Sequence, residues 1–192
     1  MKTDIILAGV GGQGILSIAA VIGEAAVRRQ LYLKQAEVHG MSQRGGDVQS
    51  NLRLSDKYIF SDLISRGKAD LVIALEPMEA LRYAGWLKPG GFVVANVTPF
   101  VNIPDYPEEA LLMSTLKNLP NAHLLDVDAL ARDLGSAKVS NMVMLGAASP
   151  YIGLDDAALE EGIIHLFERK GKAIVEMNLK ALAAGKALVN QP

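Results

Sequence analysis

Cysteine is absent from all 192 residues. The chain therefore forms no disulfide, carries no thiolate nucleophile, and has no cysteine sulfur for zinc or an iron–sulfur cluster. Histidine is scarce as well. His39, His123 and His165 stand far apart, and none falls in an H-x-x-x-H or H-E-x-x-H arrangement, so no metal site is expected. There is no basic surplus: 19 Lys and Arg against 21 Asp and Glu leave a net charge of −2. That balance argues against a nucleic-acid partner, whose phosphates need cationic replacement of counterions. A membrane span is lacking too. The uncharged run from Ile5 to Gly23 is broken by Gly9, Gly11, Gly12 and Gly14 and holds Gln13 and Ser17. It reads as a strand, a tight turn and a helix. Asp4 beside Lys2 spoils the basic start of a signal peptide, so a cytoplasmic protein with no membrane contact is expected.

What is present is apolar. Hydrophobic residues make up 50% of the chain and charged ones 21%, with a mean hydropathy of +0.22. This excludes disorder. A chain of this length buries roughly 70% of its extended surface and holds a full core. The apolar share also hints at a surface buried against a partner.

Thr3 to Ala8 reads as a strand buried on both faces. Gln13 to Arg29 reads as a helix, with Ile15, Ile18, Ala19, Ile22 and Ala26 on one face and Arg28 and Arg29 at its negative end. Leu31 to Ala36 is a second strand, 37–46 a polar loop, and Val48 to Leu54 a further strand. Asp70 to Leu75 is a strand, and Pro77 opens a helix to Ala84. Lys88 to Gly91 is a turn, Phe92 to Asn96 a strand, and Pro99 to Pro107 a loop with three prolines. Glu108 to Asn118 is helical and His123 to Val127 extended, with Asp128 capping a short helix to Leu134. Beyond Ser140 the pattern is helical, broken near Ser149–Tyr151 and at Gly171. The expected fold is α/β: a three-layer α/β/α Rossmann-like open sheet, mostly parallel, with a helical C-terminal segment. The whole chain, 1–192, is expected as a single domain, with a sheet core over 1–138 and helices over 139–192.

Two stretches concentrate chemistry. Gly9-Val10-Gly11-Gly12-Gln13-Gly14 is a G-x-G-x-x-G between the first strand and the first helix. Glycines let backbone N–H groups approach an anion, and the helix N-terminus adds positive potential. A dinucleotide also needs an acid about 20 residues on, and Glu37 is available. The alternative is that these glycines serve only close packing. The second stretch, Glu37-Val38-His39-Gly40-Met41-Ser42-Gln43-Arg44-Gly45-Gly46, should lie at the same carboxyl end of the sheet. Arg44 between glycines suits an anion contact, and His39 an acid or base. The alternative is that these residues tie the loop to itself or to a partner chain, with Asp47 neutralising Arg44. Asn141, opening an uncharged stretch from Val139 to Leu154, either caps a helix or points at the glycine turn.

Taken together, Ile6 to Gly14, Glu37 to Gly46 and Asn141-Met142-Val143-Met144-Leu145-Gly146-Ala147 resemble the gamma-type domain of 2-oxoacid:ferredoxin oxidoreductases. The His-Gly-Met-Ser-Gln-Arg-Gly-Gly form is most similar to the small (beta) subunits of the indolepyruvate branch. Lys170-Gly171-Lys172 and Glu176 to Lys180 also fit, and the resemblance covers nearly the whole chain. It implies oxidative decarboxylation of an aryl 2-oxoacid such as indolepyruvate. Coenzyme A would take the acyl group and ferredoxin the electrons. It also implies thiamine diphosphate, Mg and iron–sulfur clusters on a large (alpha) partner subunit, none of them on this chain. The missing cysteine, and the missing G-D-G…N-N pattern for thiamine diphosphate, agree with that division. Gly9, Gly11, Gly12, Gln13, Gly14, Glu37, Ser42, Gln43, Arg44, Gly45, Gly46 and Asn141 would then close over the partner's active site or hold coenzyme A, and the isolated chain would be inactive. The competing reading is a stand-alone NAD(P)-dependent or nucleotide-binding Rossmann-like protein.

The helix from Lys172 to Leu188 adds an expectation. Ile174, Met177, Ala181, Ala184 and Leu188 form one apolar stripe, and Val175, Leu179 and Leu182 form another. Either the spare stripe awaits a partner, or the helix is wedged against the stretch from Val139.

Overall fold

The computed structural model describes residues 1–39 and 45–189, His39 by its backbone alone. Six strands form one sheet: β1 (Lys2–Val10), β2 (Tyr32–His39), β3 (Asp47–Ser55), β4 (Ala69–Ala74), β5 (Leu87–Asn96) and β6 (Ala122–Leu125). Their spatial order is β2-β3-β1-β4-β5-β6. β1, β4, β5 and β6 run parallel, while β3 runs antiparallel to both β1 and β2. The helices are α1 (Ile15–Arg28), α2 (Pro77–Ala84), α3 (Glu109–Lys117), α4 (Val127–Asp133), α5 (Ser140–Ile152), α6 (Asp156–Phe167) and α7 (Lys172–Val189). None of the described helices is long and apolar enough to cross a membrane.

The sheet separates two cores, as the α/β/α reading requires. β1 sends Ile5 and Leu7 to the side of α1 and α5, and Ile6 and Ala8 to the side of α2 and α3, all fully buried. That alternation explains why the strand is apolar at every position from Ile5 to Ala8.

Several boundaries differ from the sequence reading. β2 extends to His39, paired with Val48, so Glu37, Val38 and His39 are strand and not loop. β2 is an edge strand, and edges tolerate polar side chains that would be costly in the sheet centre. The Lys88–Gly91 turn is a loop-out within β5: Ala69 pairs with Leu87, but Leu71 pairs with Phe92. Asp126, not Asp128, caps α4, accepting from the Ala129 N–H at 2.8 Å. α5 also runs straight through Pro150 and stops at Gly153. Proline lacks the N–H that would bond the carbonyl four residues back, and here the Ser149 hydroxyl takes its place, donating to the Gly146 carbonyl at 2.8 Å.

α5 is apolar all round because it is covered all round. It lies on the sheet, and α7 lies on it. The crossing is so close that a Cβ at Gly146 would sit 2.0 Å from the Leu182 carbonyl oxygen, and one at Gly185 would sit 1.9 Å from that of Val143. This corrects the spare-stripe expectation. Ala181 and Leu182 are buried against α5, and the apolar faces of α7 are largely used inside the chain. Ile174 at the start of α7 stays 43% exposed, but the most exposed large apolar side chains lie elsewhere. Tyr32, Tyr58 and Phe60 form an edge-to-face ladder with centroids 5.8 and 4.9 Å apart, and Phe60 is 90% exposed.

Candidate functional site

α1 leaves β1 toward one face of the sheet, and α2 leaves β4 toward the other. Their divergence opens a crevice at the carboxyl ends of neighbouring parallel strands, where open α/β sheets bind ligands. The glycine turn lines it.

Most of the turn is pinned from within. Gln13 is one pin: its Oε1 accepts from the Val10 N–H at 2.8 Å, and its Nε2 donates to the Leu75 carbonyl at 3.1 Å. Gln13 thus ties the end of β1 to the end of β4 and is not free for a ligand. Asn96 continues the seam, donating to Leu75 at 3.3 Å and to Asp128 at 2.8 Å, and accepting from the Val127 N–H at 3.3 Å. Gly14 takes the left-handed conformation, φ 88°, and a Cβ there would meet Asn141 Nδ2 at 2.6 Å. Asn141 is the second pin, donating to the Gly14 carbonyl at 3.2 Å. It points at the turn, and Val139 rather than Asn141 occupies the N-cap position of α5.

Gly11 does not offer its N–H to an anion. That group donates to the Gly46 carbonyl at 2.8 Å, and the Gly45 N–H donates to the Gly11 carbonyl at 3.3 Å. The β1–β3 ladder thus continues through the turn. Among the described residues, no partner is found for the N–H groups of Gly12 and Gly14 or for those of Ile15 and Leu16 in the first turn of α1. That helix has no side-chain cap and no acid in its first turn, so its N-terminal potential is uncompensated. These groups face a cleft of about 380 Å³ between Val10, Gly12, Ile15 and Leu16 on one wall and Glu37 and Val48 on the other.

Glu37 reaches this cleft from two strands away, because β3 separates β2 from β1. In a dinucleotide fold the acidic strand adjoins the glycine turn, so the spacing that nominated Glu37 does not carry that meaning here. Its carboxylate accepts from Gln35 Nε2 at 2.8 Å. Ser42, Gln43, Arg44 and the His39 side chain lie outside the described residues. Gly9 sits beneath the turn, where a Cβ would meet Gln13 Oε1 at 2.8 Å.

The α2 side of the crevice, outside the lining of that cleft, was not legible in the sequence. Asn102 Nδ2 donates to the Gly45 carbonyl at 2.7 Å. Asp47 Oδ2 accepts from the Tyr83 hydroxyl at 2.9 Å. Glu76, fully buried, caps α2 through the Glu79 N–H at 2.9 Å and holds the 97–108 loop through the Phe100 N–H at 3.2 Å and the Tyr106 hydroxyl. The signal for that cap was Glu76-Pro77: an acceptor directly before a proline at the first helical position. Glu79 is 1% exposed and pairs with Arg82 at 2.8 Å. Burial, and the neighbouring Asp47 against the pull of Arg82, push its carboxyl up to about 7. Burial likewise raises the Tyr83 and Tyr106 hydroxyls, reinforced by Asp47 and Glu76 respectively.

Comparison with known proteins places these features in a lineage. The family model described as pyruvate ferredoxin/flavodoxin oxidoreductase matches residues 4–188. Indolepyruvate oxidoreductase subunit IorB of Archaeoglobus fulgidus is 36% identical over 194 residues, covering 96% of this chain and 94% of its own. Among solved structures, the gamma subunit of keto/oxoacid ferredoxin oxidoreductase from Geobacter sulfurreducens aligns with a TM-score of 0.70 at 25% identity, over 97% of this chain and 98% of that one. The 2-oxoglutarate:ferredoxin oxidoreductase from Magnetococcus marinus, with 2-oxoglutarate, coenzyme A and succinyl-CoA bound, aligns with a TM-score of 0.76 at 23% identity. It shares the fold over 98% of this chain, which spans 31% of that longer one.

Proposed function

From its membership of the pyruvate ferredoxin/flavodoxin oxidoreductase family, we propose that this chain is the small subunit of a cytoplasmic heteromeric enzyme converting an aryl 2-oxoacid, indolepyruvate by preference, to its acyl-CoA. It is a subunit of a 2-oxoacid:ferredoxin oxidoreductase. The proposal concerns its substrate, its co-substrate and its share of the work. The relative from A. fulgidus supports indolepyruvate.

The family's thiamine diphosphate and iron–sulfur clusters do not fit this chain. It has no cysteine, and no three His, Asp or Glu side chains among the described residues converge as a metal site. Those groups belong to a large partner subunit, which would pass electrons to ferredoxin. The exposed Tyr32–Tyr58–Phe60 ladder supports a surface made for such a partner.

One observation carries the chain's own role. The N-terminus of α1, without a side-chain cap, opens onto a cleft with backbone donors that have no partner among the described residues on one side and apolar side chains along it. Coenzyme A presents both phosphates and a pantetheine arm whose methyl and methylene groups suit apolar side chains. A phosphate would accept from the N–H groups of Gly12, Gly14, Ile15 and Leu16. This chain thereby binds and orients the acyl acceptor while the partner forms the acyl group. An NAD(P) site of its own is disfavoured by β3 lying between β1 and β2.

The test uses the co-expressed complex. Leu16 is 49% exposed at the cleft, so a carboxylate there needs no repacking. Leu16→Glu should stabilise α1 slightly, because an acid suits a helix start. It should also raise the KM for coenzyme A about tenfold through repulsion of the phosphate, a cost of about 1.4 kcal/mol, with Leu16→Gln near wild type. An unchanged KM in Leu16→Glu would refute the phosphate site. Loss of 2-oxoacid-dependent ferredoxin reduction when the large subunit is omitted is the companion expectation.

A further inference from the structure

The wall opposite the glycine turn contains two observations that explain each other. Asp47 Oδ1 is buried and has no hydrogen-bond partner, although Oδ2 accepts from Tyr83. Glu79, also buried, stands one helical turn before Tyr83 on α2, and the nearby Asp47 is among the groups that raise its carboxyl. Carboxylates brought together away from water repel unless one is protonated, and a proton between them satisfies the orphaned oxygen. Among the described residues, the other charged or titratable neighbours of the pair are accounted for. Arg82 pairs with Glu79, Tyr83 donates to Asp47, and Glu76 is occupied by the Glu79 and Phe100 N–H groups and the Tyr106 hydroxyl.

We propose that Asp47 and Glu79 share one proton and together act as a positioning pair, clamping the start of β3, and through it the glycine turn, against α2. This rests on the functional reading above, since the turn is what the clamp positions. The route is short and entirely backbone beyond Asp47. Asp47 pairs with Val10 in the β1–β3 ladder. One residue earlier the Gly46 carbonyl receives the Gly11 N–H, and Gly45 exchanges with Gly11 as well. Displacing Asp47 from α2 therefore displaces the partner strand of the turn. Asn102, which holds the Gly45 carbonyl, belongs to a loop anchored on Glu76 of the same helix boundary.

The shared proton gives the clamp a pH dependence whose sign is fixed. The Glu79 carboxyl rises in the folded chain from 4.5 to about 7. The folded state therefore retains a proton that the unfolded state has lost, and the stability this contributes is full below about 4.5 and disappears as pH rises through about 7. Above that range both carboxylates are charged and the clamp is strained.

The experiment is chemical denaturation and amide exchange of the full chain between about pH 5 and pH 8. The wild type should lose urea midpoint across that interval, with exchange at 45–47 accelerating in step. Glu79→Gln should abolish most of that dependence, because the glutamine amide donates to Asp47 at every pH while its carbonyl still accepts from Arg82. Tyr83→Phe should keep the wild-type slope at a lower midpoint. Retention of the wild-type slope in Glu79→Gln, or exchange at 45–47 that ignores pH, would overturn the positioning pair. In the co-expressed complex, Glu79→Gln should shift the alkaline limb of the KM profile for coenzyme A and leave kcat in place; a shift in kcat alone counts against the proposal. Because the denaturation arm requires no catalysis, it separates failure of this proposal from failure of the coenzyme A site.

Discussion

The two walls of the crevice are built from different chemistry. On the α1 side the pins are neutral amides: Gln13 ties the ends of β1 and β4, Asn96 ties the end of β5 to Leu75 and the start of α4, and Asn141 ties the turn to α5. On the α2 side the pins are acids, with Asp47, Glu76 and Glu79 meeting tyrosine hydroxyls, an arginine and each other. An amide seam holds the same at any pH. A carboxylate seam holds only in the right protonation state and is tied to stability through it. One fold thus contains a wall that is fixed and a wall that can be tuned, and the glycine turn is suspended between them.

The comparison breaks most completely at Gly14. Gly14→Val combines a left-handed backbone with a Cβ that would strike Asn141, and should cost about 3 kcal/mol or more, seen as a large fall in thermal midpoint and failure to assemble with the large subunit. Gln13→Ala comes next. It orphans the Val10 N–H and removes one donor to Leu75, at a cost of about 2 kcal/mol. The sharpening detail is that this loss should be the same at pH 5 and at pH 8, whereas the effect of Glu79→Gln changes across that range. Arg44→Ala should be smallest in stability, with an unchanged midpoint, yet should lower activity of the assembled complex about tenfold or more. Arg44→Lys should recover little, because a point charge does not replace a bidentate fork.

Much of the fold was legible because its signals were local. The apolar run of β1, the proline opening α2 and the uncharged stretch of α5 each announce their elements within a few residues. Strand order was not, and its consequence fell on Glu37. Counting residues offered it as the acid a dinucleotide site needs near the turn, while pairing inserted β3 between them. The turn itself was read as glycines offering N–H groups, and in part that is so. Gly11 is the exception, because its partner Gly46 lies 35 positions along the chain and only the ladder joins them. Asn141 was visible as a candidate, since an amide opening an apolar helix has few uses. The acidic wall was not, because Asp47, Glu79 and Asn102 are scattered along the chain and carry no spacing that would group them.

The crossing of α5 and α7 also has a temporal side. α5 is synthesised well before α7, yet it has no polar face to show the solvent, and Gly146 and Gly185 let only that one helix approach closely enough to cover it. During translation the chain therefore passes through a stage in which a helix apolar on every side is emerging and its cover does not yet exist. Chains at that stage are the ones most exposed to aggregation and most in need of a chaperone. Once α7 docks, backbone lies against backbone, and the release of the two helices becomes a late event in unfolding.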